Sequence, residues 1–145
     1  MILARYLVIA HQTAESPELL AAMRDIAKND DHAAFILLVP ATPLAHLGMV
    51  TTDVAAAVAE ETATRARAHF RDSGIVLEDV RTCDPHPVLA VTQEMSANPN
   101  YAGLIVSTFP AGISRWLRMD AVSRIERAVN IPVTHVAAPQ QQNES

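Results

Sequence analysis

The sequence predicts an α/β domain, a three-layer α/β/α sandwich with an open five-stranded parallel sheet in the middle. Three features lead there. The apolar runs of strand length are continuous rather than alternating, the pattern of strands covered on both faces. Helical segments with recognisable starts and stops separate those runs in strict alternation, which implies parallel strands joined by crossover helices. Half of the chain is hydrophobic, yet only 4% is aromatic. Small aliphatic side chains suit the close packing of helix on sheet.

Tyr6-Leu7-Val8-Ile9-Ala10 is the first strand. A helix follows at Ser16-Pro17-Glu18. Ser16 can cap it, Pro17 suits the first helical position, and Glu18 favours the positive end of the helix dipole. Leu19, Leu20, Met23, Ile26 and Ala27 form its apolar stripe. Phe35-Ile36-Leu37-Leu38-Val39 is the second strand, ended by Pro40. The second helix starts near Thr52-Asp53 and runs to Ser73, where Gly74 stops it. Its many alanines favour helix, and Val54, Val58 and Phe70 mark the buried side. Residues 75–80 are more mixed and read as a strand near an edge. Asp84-Pro85 or His86-Pro87 opens the third helix, with Val88, Leu89, Val91, Thr92 and Met95 inward. Leu104-Ile105-Val106-Ser107-Thr108 is the fourth strand, Val122, Ile125 and Val129 the stripe of the fourth helix, and Ile131-Pro132-Val133-Thr134-His135-Val136 the last strand. Residues 1–137 read as one domain, and the polar run 138–145 as a disordered tail. Residues 41–51 are the long connector. Leu44, Leu47, Met49 and Val50 make it apolar for a loop, so it reads either as a lid or as a contact with a second subunit.

Composition excludes several functions. A net charge of -5 argues against non-specific nucleic-acid binding, which needs a basic footprint. No apolar run reaches the roughly 18 residues of a membrane span. Met1-Ile2-Leu3-Ala4-Arg5 lacks the order of a signal peptide, so a cytoplasmic protein is expected. Cys83 is the single cysteine; no internal disulfide can form, and it reads as an ordinary semi-buried residue. The six histidines show no H-x-x-x-H or H-E-x-x-H spacing, and no metal site is expected.

Ligands of open α/β sheets bind beyond the carboxyl ends of the strands, where the strand order reverses. Here those ends are Ala10-His11-Gln12-Thr13, Val39-Pro40-Ala41, Thr82-Cys83-Asp84 and Ser107-Thr108-Phe109-Pro110. Gly112, Arg115 and Arg118 follow the fourth strand and belong to the same candidate site. Four of the 11 Lys and Arg residues fall between Arg115 and Arg127, in a chain of net negative charge. Arg115 and Arg118 could clamp a phosphate or carboxylate, or simply pair with Asp120 and Glu126. Trp116 reads as a packing anchor before it reads as a stacking platform. Ser107 and Thr108 could bind a ribose or phosphate, or satisfy the turn's own backbone. His11 is the one candidate base for Ser107 or Thr108. No G-x-S-x-G elbow accompanies them, and no acid, base and nucleophile assemble in the sequence.

On these residues the chain resembles the universal stress protein superfamily from residue 4 to 137. The carriers of the resemblance are a turn closing the first strand (His11-Gln12-Thr13, where the family has an Asp-Gly-Ser-like turn), the long second helix, and the Asp84-Pro85 turn. The final Ile131-Pro132-Val133 strand completes the set. The resemblance implies a Rossmann-like sheet in the order 3-2-1-4-5. It also implies homodimers paired antiparallel through the last strand, 131–136, and a base received by backbone at Val39, Pro40 and Ala41. The family's glycine loop, G-2x-G-9x-G-(S/T), falls on Ser107, Pro110, Asp120 and Ala121. Pro110 offers no N–H, Ala121 no hydroxyl, and Asp120 puts a carboxylate where an anion would bind. A carboxylate about 4 Å from a phosphate costs roughly 1 to 4 kcal/mol, and each missing donor about 1 kcal/mol more. The resemblance therefore implies a branch without the ATP motif. The expectation is a dimeric, non-enzymatic binding or regulatory module that requires no cofactor and binds ATP weakly or not at all. The alternatives are an enzyme acting on an adenylated or phosphorylated small molecule, and a dimeric scaffold without a small-molecule ligand.

Overall fold

The computed structural model describes residues 4–10, 14–30, 32–41, 52–83, 86–98, 100–108 and 121–137. They form β1 (Ala4–Ile9), α1 (Pro17–Asn29), β2 (Ala33–Pro40), α2 (Thr52–Asp72), β3 (Leu77–Cys83), α3 (Pro87–Ala97), β4 (Tyr101–Thr108), α4 (Ala121–Ala128) and β5 (Val133–Ala137). All five strands lie in one sheet, in the order β3-β2-β1-β4-β5, and every pairing is parallel. The direction of travel reverses between β3 and β4. With right-handed crossovers, that reversal moves the helices to the opposite face.

Two cores result. Val8 and Ala10 of β1, Phe35, Leu37 and Val39 of β2, and Ile105 of β4 pack under Leu19 and Met23 of α1 and Ala59, Ala63, Ala66 and Phe70 of α2. The intervening residues Leu7, Ile9, Ile36, Leu38, Leu104 and Val106 pack under Val91 of α3 and Ile125 of α4. This alternation of layers is why the strand sequences are apolar without a break. All three expected signals of α1 are present: the Ser16 hydroxyl accepts from the Leu19 N–H at 3.1 Å, Pro17 opens the helix, and Glu18 lies in its first turn.

The outer elements depart from the expected ones in three places. The strand expected at 75–80 runs instead from Leu77 to Cys83. Ile75 and Gly74 close α2: the Ile75 N–H donates to the Phe70 carbonyl at 3.0 Å and the Gly74 N–H to that of Arg71 at 3.2 Å. Gly74 has φ +79°, a conformation natural to glycine, and Ile75 and Phe70 are both buried. These are the parts of a Schellman cap with its hydrophobic contact. The last strand begins at Val133, and among its residues only Val136 is buried, because β5 is an edge. Leu89, expected inward, is 44% exposed, and Ala90 takes the buried position beside Val91. Residues 42–51 and the tail 138–145 lie outside the described residues. No described helix is long and apolar enough to cross a membrane.

Two register shifts mark the sheet. One lies between Arg5 and Tyr6 against β4, the other between Phe35 and Ile36 against β3. Gly103 pairs with Tyr6 just after the first. A Cβ at Gly103 would meet the Tyr6 ring at 3.1 Å, and that ring is itself set against Phe35, 5.7 Å between centroids. Gly103→Ala is therefore expected to destabilise the fold by about 1 to 3 kcal/mol, the usual cost of overpacking, in urea unfolding. The cost should largely vanish in a Tyr6→Ala background.

Candidate functional site

The strand order reverses between β1 and β4, so their carboxyl ends define the crevice where a ligand of this fold is held. Ile9 pairs with Val106 there, which puts Ala10 and Ser107 one step further on, side by side at the floor. Both have no exposed surface. The Ala10 N–H donates to the Leu38 carbonyl at 3.1 Å, extending the ladder one residue past β1. On the next strand Val39 and Pro40 are buried as well. The Ala41 N–H donates to the Cys83 carbonyl at 3.0 Å, tying β2 to the end of β3.

Pro40 closes β2 without breaking it. Leu38 addresses β1 and Ala41 addresses β3, so by the two-residue alternation the Pro40 nitrogen faces the β1 side, beyond the last ladder bond of β1. With no N–H at Pro40 to meet the Ala10 carbonyl, the β1–β2 ladder ends at the Ala10 bond to Leu38. The structure thus brings Ala10, Val39, Pro40, Ser107 and the backbone of Thr108 to one edge of the sheet. What these residues offer is a wall of buried small and apolar side chains with main chain at the rim. His11, Gln12, Thr13, Gly112, Arg115 and Arg118, and with them Phe109, Pro110, Trp116 and Asp120, lie outside the described residues.

A second polar constellation, not singled out in the sequence, sits on the α3–α4 face. Glu94 of α3 is only 7% exposed. Its Oε2 accepts from the Tyr101 hydroxyl at 2.6 Å, Arg81 Nη2 at 2.8 Å and Asn98 Nδ2 at 3.0 Å. Arg81 Nε lies 3.1 Å from Asp79 Oδ2 without the alignment of a hydrogen bond. Nearby, Arg5 Nε donates to Glu78 Oε1 at 2.7 Å. That hydrogen bond, with the Arg5 charge, holds the Glu78 carboxyl below its usual range. Burial raises the Tyr101 phenol well above its ordinary value, and the hydrogen bond and charge of Glu94 raise it further. The i, i+4 spacing of Glu94 and Asn98 is legible from sequence. Arg81 and Tyr101 reach Glu94 only through the crossover.

Among the described residues no three His, Cys, Asp or Glu side chains gather as a metal would require. The shifted acids Glu78 and Tyr101 belong to the second constellation rather than to the strand-end crevice.

No protein-family model matches the chain, and no curated protein is similar to it in sequence. Solved structures are similar to it in fold. A universal stress protein from Archaeoglobus fulgidus in complex with dAMP is 17% identical over 94% of this chain and 99% of its own, with a TM-score of 0.61. A protein of the same family from Burkholderia pseudomallei is 16% identical over 93% and 96%, with a TM-score of 0.62. One from Arabidopsis thaliana with AMP bound is 14% identical over 98% and 96%, at 0.58. The fold of this chain is the universal stress protein fold, with the strand order that the resemblance implied.

Two outcomes test this geometry. Because the ionised phenol is disfavoured in the folded state, the Tyr101 contribution is intact below its ordinary value of 10.0 and is lost as pH rises above it. Wild type should therefore lose stability above about pH 10 more steeply than Tyr101→Phe in urea midpoints. At the strand ends, Ala10→Leu should cost about 1 to 3 kcal/mol, since Ala10 is fully buried in the core.

Proposed function

We propose that this chain is a universal-stress-type binding module: cytoplasmic, dimeric, without catalytic turnover, and receiving a nucleotide or a related anion at the ends of β1, β2 and β4. The observation that carries the reading is the strand order, which reverses between β1 and β4 and sets the carboxyl ends of β1, β2 and β4 side by side. Ala10, Val39, Pro40 and Ser107 are buried there, so a flat base received at these ends would be held by main-chain contacts at the rim. The neighbours solved with dAMP and AMP support this class of ligand.

The loop after β4 decides how much phosphate is tolerated. Pro110, Asp120 and Ala121 withhold donors and add a negative charge, so ATP is the wrong ligand for this loop. Arg115 and Arg118 remain as cations for a single phosphate or another small anion.

The two edges of the sheet support pairing through β5. Edge β3 is closed by its own neighbours. The Val80 N–H donates to Asp79 Oδ1 at 2.9 Å, and its carbonyl accepts a long bond of 3.5 Å from Arg67 Nη2. Glu78, Asp79 and Arg81 add charge along it, as protected edges do. Edge β5, Val133-Thr134-His135-Val136-Ala137, carries no Lys, Arg, Asp or Glu. The Pro132 carbonyl accepts from the Leu104 N–H of β4 at 3.0 Å. Alternation then turns the backbone of Val133, His135 and Ala137 toward the outer edge.

A thermal-shift titration of the full chain tests the reading. AMP or dAMP at about a hundred times its dissociation constant should stabilise the protein by about 2.7 kcal/mol, with ATP weaker. Arg115→Ala combined with Arg118→Ala should abolish the shift without altering the fold. Pro110→Gly with Asp120→Gly and Ala121→Ser should raise ATP affinity by about tenfold or more. Silence with every nucleotide would leave the scaffold reading in its place. Light scattering should give twice the 15.7 kDa chain mass; a mass equal to one chain would remove the dimer.

A further inference from the structure

Edge strand β3 contributes almost nothing to the core beneath α3 and α4. The buried residues of that core come from β1, β2, β4, α3 and α4, and β3 adds only Cys83, partly buried at its end. The β3 positions that pair with Ile36 and Leu38 of this core are Asp79 and Arg81. On this face β3 is therefore held by charge instead of apolar contact. Arg5 reaches from β1 across β2 to Glu78, passing the level of the small, fully buried Ala34 with which it pairs. That pair is open to solvent, with side chains 46% and 33% exposed, and is weak for that reason.

The Arg81 bond to Glu94 differs in kind. The carboxylate is 7% exposed and receives Arg81 from β3, Tyr101 from β4 and Asn98 from the end of its own helix, all on one oxygen. In the sheet β3 and β4 are separated by β2 and β1. One buried oxygen thus joins both wings of the sheet to the helix that crosses between them. Charge-assisted hydrogen bonds to a desolvated carboxylate are strong, and breaking such a group from one side leaves the rest buried and unmatched.

We propose that Glu94 is a latch on the edge strand: with its carboxylate in place, β3 and the last turn of α3 stay closed on the sheet, and without it they open together as a local unit while β1, β2 and β4 remain paired. The unit carries Cys83, whose carbonyl holds the Ala41 N–H at 3.0 Å. Opening therefore also releases the end of β2 at the carboxyl edge. Local units of this kind exchange their amide hydrogens ahead of global unfolding.

Hydrogen exchange read by mass spectrometry on the full chain tests the latch, with Cys83 reactivity toward an aromatic disulfide reagent as a second readout. In Glu94→Gln and in Arg81→Gln, exchange across 77–83 and 94–98 should rise by about tenfold or more, while 6–9, 35–38 and 104–106 stay within about twofold. Cys83 should react faster by a similar factor. Combining the two substitutions should add little, because they break the same bond. Arg65→Ala, which removes the exposed pairs to Glu15 and Glu61 on the opposite layer, should leave 77–83 unchanged. Arg81 is 41% exposed, so its replacement leaves the core intact and carries the test even where Glu94→Gln does not fold. An equal rise in every strand would overturn the latch and make Glu94 a contributor to global stability alone. An unchanged 77–83 would overturn it as well.

Discussion

Strands β1, β2 and β4 have apolar side chains buried on both faces, and this burial sets the terms for the rest of the fold. A strand covered on one face tolerates polar residues at every second position; these do not. Leu7, Val8, Ile9 and Ala10 are wholly buried in succession, and every residue from Ala33 to Pro40 is buried on the next strand. Two helical layers are needed to cover them, and crossovers of one hand supply two layers only if the chain reverses its direction across the sheet. The reversal creates the crevice at the ends of β1 and β4. The candidate site is thus a consequence of how the core is closed, and the residues there are small (Ala10, Ser107) because they are still core.

The same constraint separates what was legible in the chain from what was not. The buried strands are readable because nothing but continuous apolar sequence satisfies two helical layers. The α1 start is readable because its cap and proline are local chemistry. The edges are not, since an edge strand obeys weaker rules. Ile75 and Val76 look like the opening of a strand, yet Ile75 is the hydrophobic partner of Phe70 in the helix cap, and Val76 is 60% exposed. The run 131–136 looks like β1 or β2 but lies at the rim, where Thr134 and His135 are exposed. Apolar content alone does not tell a central strand from an edge that expects a partner. Leu89 looks inward in the sequence for a related reason: α3 is uncharged apart from Glu94, so its pattern hardly distinguishes an inner side.

The general rule for open α/β sheets points to the strand ends as the candidate site, and the structure places Ala10, Val39, Pro40 and Ser107 together there. The Glu94 constellation escaped the sequence because its members come from three elements. Glu94 sits on an apolar helix where a charged residue has only two stable options, solvent or a set of matched donors. A lone acid in an apolar helical run is the signal that was available, and it pointed to a buried partner without naming Arg81 or Tyr101.

In the proposed function, recognition of a nucleoside and recognition of its phosphates rest on different parts of the fold. A base needs shape and main chain, which the proposed site draws from the ends of β1, β2 and β4. Polyphosphate needs donors that only a small-residue loop can present, and Pro110, Asp120 and Ala121 take them away. On the proposed reading an acid at Asp120 adds repulsion toward bound phosphate, roughly 1 to 4 kcal/mol for a charge at about 4 Å and less for each more distant one. Loss of the loop therefore does not imply loss of the pocket. On the proposed reading it shifts selectivity toward ligands of low charge, such as a monophosphate, with Arg115 and Arg118 as the cations closest in sequence to receive it. On this argument the departures from the glycine motif specify a ligand class rather than a defect.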